Sequence, residues 1–129
     1  MIRRKFSFIA SLLVAAGIAL AGNAYSAPVV TPKAYAIAEI DVKDPSAYRQ
    51  YLAAVSPVVA QLQGRYLVRA GTIVPVEGDA PTGRYVVSEF PSLAMAKSFE
   101  ASPEYLAIAP LRKRASHSRI FLVEGSPQH

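Results

Sequence analysis

From Tyr35 onward the chain alternates in polarity. Ala36, Ala38, Ile40 and Val42 fall on one side of an extended segment, and Tyr35, Ile37, Glu39 and Asp41 on the other. A period of two predicts a β-strand with one face in a core and a second, mixed face. Asp44-Pro45 follows, an N-cap residue and a proline at the first helical position, where its missing N–H leaves no bond unmade. Tyr48, Tyr51, Leu52, Val55, Val59 and Leu62 then recur at helical spacing. Pro57 interrupts this stripe and predicts a kink or a restart. Gly64 is placed to close the helix as its C-terminal cap residue.

The alternation returns between Arg65 and Val76, with Tyr66 and Val68 opposite Arg65, Leu67 and Arg69. Residues 77–83 (Glu-Gly-Asp-Ala-Pro-Thr-Gly) have the composition of a turn, and Arg84 to Phe90 reads as the partner strand of a hairpin. Pro91-Ser92 opens a helix that points Leu93, Ala96 and Phe99 inward. Ser102-Pro103-Glu104 starts another, with Tyr105, Ile108, Ala109 and Arg112 in its stripe. Ser116 to Glu124 is a last strand that is apolar on both faces. The order β-α-β-β-α-β predicts an α+β, ferredoxin-like sandwich over residues 35–125, with its helices on one face of a four-stranded sheet. The opposite face would carry Ile37, Leu67, Phe121 and Val123, too apolar to leave in water. Two copies stacked through these faces would cover them, so a homodimer is expected.

The first 26 residues read differently. A basic start (Arg3, Arg4, Lys5) precedes an apolar run from Phe6 to Ala21 and then small residues, the layout of a secretory signal peptide. The run falls short of the roughly 20 residues that span a bilayer. Cleavage is expected after Ala24 or Ser26, which delivers the domain to a Gram-negative periplasm and limits membrane contact to the uncleaved signal. Arg3-Arg4-Lys5-Phe6 also resembles a twin-arginine signal, so the general and twin-arginine routes both stay open. Residues 27–34 form a flexible leader and 126–129 a short tail. The signal holds three of the 14 basic side chains, so the domain keeps about +2 of the formal +5. That charge, outside the cytoplasm, excludes nucleic acid as a partner. Charged residues make up 18% of the chain, below the roughly 25% of ordinary domains, which also fits a surface partly hidden in an oligomer.

Several chemistries drop out by residue type. There is no Cys, hence no disulfide, thiolate metal site or cysteine nucleophile. His117 is the only histidine within the domain, His129 being terminal, and neither has a metal-ligand spacing. No metal and no cofactor are expected. An imidazole can serve as a general base, so His117 stands as a catalytic candidate. The arginines and tyrosines remain. Tyr48, Arg69, Arg84, Tyr105 and Arg112 would make a cleft with an anion clamp and aromatic walls if they converge. The other arrangement uses the tyrosines as helix core and pairs the arginines with Glu39, Asp41 or Glu89.

Tyr35-Ala-Ile-Ala-Glu-Ile, Asp44-Pro-Ser-Ala-Tyr48-x-x-Tyr51, Gly64-Arg-Tyr-Leu-Val-Arg69, Glu77-Gly-Asp79, Ser102-Pro-Glu-Tyr105, Pro110-Leu-Arg112 and Val123-Glu-Gly125 together resemble the family called domain of unknown function 1330. This resemblance implies membership of the dimeric α/β-barrel superfamily, in which two such sandwiches close one barrel. Gln63, Ala70 and Ala80 depart from the glycine, glycine and aromatic that the family usually carries. Small enzymes of the superfamily often work without metal or organic cofactor. The resemblance therefore leaves two functions open: a cofactor-independent enzyme acting on a small aromatic or carboxylic acid, or a non-catalytic periplasmic ligand-binding or stress-related dimer.

Overall fold

The computed structural model describes residues 17–18 and 21–127. The apolar run of the proposed signal and His129 lie outside these residues or at their margin. No helix among the described residues is long and apolar enough to cross a membrane. Four strands and three helices follow in the order β1 (Ala34–Val42), α1 (Pro45–Gln61), β2 (Arg65–Arg69), β3 (Arg84–Phe90), α2 (Leu93–Ala101), α3 (Pro103–Ala115) and β4 (Ser116–Glu124). The sheet is antiparallel throughout, in the order β2-β3-β1-β4. This is the ferredoxin-like α+β arrangement, with its second helix divided in two.

Each helix starts where its cap chemistry requires. The Asp44 carboxylate accepts from the Ala47 amide at 3.0 Å, with Pro45 behind it. The Ser92 and Ser102 hydroxyls accept from the Met95 and Tyr105 amides at 3.1 Å. Ser102 also ends α2, its hydroxyl donating to the Phe99 carbonyl at 2.8 Å. α1 runs on through Pro57 without a restart, and the Ser56 hydroxyl one residue earlier donates to the Leu52 carbonyl at 3.1 Å.

Gly64 is not the cap residue that its position predicts. Gln63 takes the left-handed backbone, with φ 62°, and Leu62 caps the helix. Gly64 is required for space instead: a Cβ there would lie 2.7 Å from the Phe90 ring and 2.8 Å from Val59 Cγ1.

β2 is shorter than the predicted Arg65–Val76. It ends at Arg69 because Ala70 turns left-handed at φ 58°, and residues 70–83 form a loop. The pairing of β2 with β3 also slips by one residue at Leu67: Tyr66 faces Ser88, but Val68 faces Val87 and Arg69 faces Val86. Such a bulge reverses the parity of everything after it. Val68 is therefore on the outer face and Arg69 on the helix face with Tyr66, the reverse of what strict alternation predicts.

The core lies between sheet and helices. Ala34, Ala36, Ala38 and Ile40 of β1 pack against Tyr48, Tyr51, Val55, Val58 and Val59 of α1. Phe90, Phe99 and Tyr105 stack in sequence, with ring centres 5.2 and 4.6 Å apart. The outer face places Ile37 between Val87 and Phe121. Leu67, Val68, Phe121 and Val123 of this face are 39–46% exposed.

Candidate functional site

The alanines of β1 leave room that larger side chains would fill. Above Ala36 and Ala38 lies a narrow cleft between the sheet and the helices. Tyr48 and Tyr51 from α1, Tyr66 from β2 and Tyr105 from α3 wall it, Arg69 and Arg84 enter from the hairpin, and Glu100 enters from α2.

Arg69 reaches the cleft because of the Leu67 bulge. Its Nη2 donates to Ser56 Oγ at 2.7 Å, and its guanidinium lies 4.4 Å from the centre of the Tyr66 ring. Arg84, the first residue of β3, sits 5.5 Å from the Tyr48 ring centre, and its buried Nε has no hydrogen-bond partner. Burial holds the Tyr48 and Tyr66 hydroxyls above the usual phenol range, against the pull of Arg84 and Arg69 respectively. Tyr51 is pushed up further, again by burial first. All three are neutral donors at ordinary pH.

Of the five sequence candidates, Tyr48, Arg69, Arg84 and Tyr105 line this one cleft. Arg112 stands behind it. That side chain is only 6% exposed; its guanidinium donates to Ser118 Oγ and, at 3.4 Å, to the Tyr105 hydroxyl, while its Nε is buried and unpartnered. It lines a neighbouring, more open hollow with Glu100, Lys113 and Ser118. His117 is elsewhere. It projects from the outer face opposite Asp41, exposed, beside Glu39 and Arg119. Among the described residues no three His, Cys, Asp or Glu side chains gather as metal ligands. Ala80 lies exposed in the loop and does not line the cleft.

The charges are segregated by face. Among the described residues the four ion pairs are Lys33–Glu89 at 2.9 Å, Arg65–Glu89 at 2.8 Å, Arg119–Glu39 at 2.8 Å and Lys43–Asp41 at 2.6 Å. Their carboxylates all stand on the outer side of the sheet. Cross-strand pairing thus accounts for Arg65 and Arg119, while Arg69, Arg84 and Arg112 have no carboxylate within 4 Å among the described residues.

Two lining residues escape the sequence argument. Tyr66 is assigned to the opposite face from Arg69 by simple alternation. Glu100 falls four residues after inward-facing Ala96, and that spacing was the signal that places it on the buried side of α2. Burial raises its pKa above the ordinary carboxylate range, and nearby Arg112 draws it back down.

The chain is thus a ferredoxin-like sandwich with an aromatic, arginine-bearing cleft between its sheet and its helices. The chain belongs to the family described as domain of unknown function (DUF1330), whose model matches residues 33–126. The fold is similar to that of the RPA0582 protein of unknown function from Rhodopseudomonas palustris, at 17% identity and TM-score 0.57 over 75% of this chain and 85% of that one. It is also similar to SnoaB, a cofactor-independent oxygenase from Streptomyces nogalater, at 14% identity and TM-score 0.55 over 76% of this chain and 97% of that one. No curated protein matches the sequence.

Proposed function

We propose that this protein is exported to the periplasm, pairs there with a second copy through its outer sheet face, and binds a small aromatic acid in the cleft without a cofactor. The observation that carries the ligand reading is the segregation of charge. The Arg84 guanidinium stands against the Tyr48 ring with no carboxylate partner, and its buried Nε is unsatisfied, as is that of Arg112 behind the cleft. Leaving a buried donor unpaired costs about 1–3 kcal/mol. A carboxylate or phenolate bound between Arg69 and Arg84 would recover that cost, and the tyrosine faces would receive its ring. The similarity to a cofactor-independent oxygenase fits a pocket that works with side chains alone.

Titration calorimetry with benzoate and salicylate tests this. Saturable binding is expected, weakened about tenfold or more by Arg84→Ala, as for loss of a charge-assisted hydrogen bond of about 1.5–3 kcal/mol. Binding that the Arg69→Ala, Arg84→Ala double variant leaves intact would remove the clamp. A mature N-terminus at residue 25 or 27 in protein recovered from a periplasmic extract checks the export step; an intact, cytoplasmic Met1 would overturn it.

A further inference from the structure

The acid-binding reading leaves Glu100 without a role. It is the one carboxyl group that lines the cleft, in a wall otherwise made of tyrosines, arginines, Ser88 and apolar side chains. The same residue lines the hollow beyond, where Arg112, Lys113 and Ser118 stand. Glu100 therefore separates two spaces, an aromatic one shaped for a ligand and a polar one open to water.

Resting on the acid-binding reading, we propose that Glu100 is a catalytic base that interconverts the keto and enol forms of a small aromatic 2-keto acid bound in the cleft. The Glu100 carboxylate takes a proton from the carbon next to the ketone: the C–H bond breaks, an O–H bond forms on Glu100, and the electron pair moves onto the carbonyl oxygen as an enolate. The protonated Glu100, or water, returns a proton to that oxygen to give the enol, or to the carbon to restore the keto form. No oxidant, reductant or metal enters the balance.

Four features of the site fit this step. Arg69 and Arg84 supply positive charge for the carboxylate and the developing enolate. The tyrosine faces receive a flat ring, and Tyr48, Tyr51 and Tyr66 remain neutral. The hollow gives Glu100 a second side from which to exchange its proton with solvent, a requirement for any base that turns over. Burial also brings the carboxyl closer to neutrality than an exposed glutamate, where proton transfer in both directions is efficient.

Phenylpyruvate in D₂O is the probe, with loss of its methylene proton signal followed by NMR. Wild-type protein is expected to accelerate that exchange above the buffer rate. Glu100→Gln is expected to lose at least about 100-fold of the acceleration while still binding benzoate, and Glu100→Asp to restore part of it. Circular dichroism confirms that each variant is folded. Exchange by Glu100→Gln at the wild-type rate, or wild-type protein that binds phenylpyruvate without accelerating exchange, would overturn the assignment to Glu100 and leave acid binding standing. Wild-type protein that binds neither benzoate nor phenylpyruvate would overturn the acid-binding reading, and the proton transfer with it.

Discussion

Gln63 and Ala70 hold left-handed backbone with side chains that resist it, at φ 62° and 58°. The left-handed region costs an ordinary residue about 1–2 kcal/mol, part of which glycine gives back as extra freedom in the unfolded chain. Gln63→Gly and Ala70→Gly should each therefore stabilise the fold by about 0.5–1 kcal/mol in urea melts. Glu100 offers a second measurement. Its folded pKa is raised by burial, despite Arg112 beside it, so above the ordinary carboxylate range the native state binds more protons than the unfolded chain. Stability must then fall as pH climbs through that window. Arg112, whose own pKa is raised, remains charged throughout. Glu100→Gln removes the loss: its melting temperature should exceed that of wild type near neutral pH, and the gap should close at about pH 4 and below. A gap independent of pH would mean that the carboxyl is not desolvated.

At the scale of elements, caps were the most legible feature. Asp44-Pro45, Ser92 and Ser102-Pro103 mark helix starts because the chemistry that begins a helix is local and sits in two or three residues. β2 was misread for the opposite reason. A bulge is an extra residue relative to a partner strand, and nothing in Tyr66-Leu67-Val68 by itself records that partner's register. The error reached the site, since Tyr66 and Arg69 share the cleft only because Leu67 breaks the alternation. The α1–β2 junction likewise depends on a distant contact, the Phe90 ring packed over Gly64. Gly64→Ala should cost about 1–3 kcal/mol, as for an overpacked core, and a melting temperature unchanged from wild type would show that the ring moves aside freely.

For the whole molecule, the open question is the outer face. Ile37, Val87, Leu67, Val68, Phe121 and Val123 spread across it, and Glu39, Asp41 and Glu89 on the same side are already paired with cations. A partner copy could cover such a surface without meeting unpaired acids. Light scattering should give a dimer, and Phe121→Glu together with Val68→Glu a folded monomer. A monomeric wild type would show that this face tolerates water. The pattern of two-sided strands announced this face from sequence alone, because an apolar outer stripe needs no knowledge of register beyond each strand's own. The position of Glu100 was harder to see, since a lone acid on a helix is ordinarily solvent-facing.

The cleft exists because the central strand presents methyl groups where neighbouring strands present Val86 and Ile120. Its depth is therefore fixed by Ala36 and Ala38, while the groups that would grip and react with a ligand stand on other elements. Ligand length and ligand charge are thus independent settings. On the acid-binding reading, Ala38→Val should weaken phenylpyruvate binding more than benzoate binding in calorimetry, while leaving the arginines, the tyrosines and Glu100 where they are.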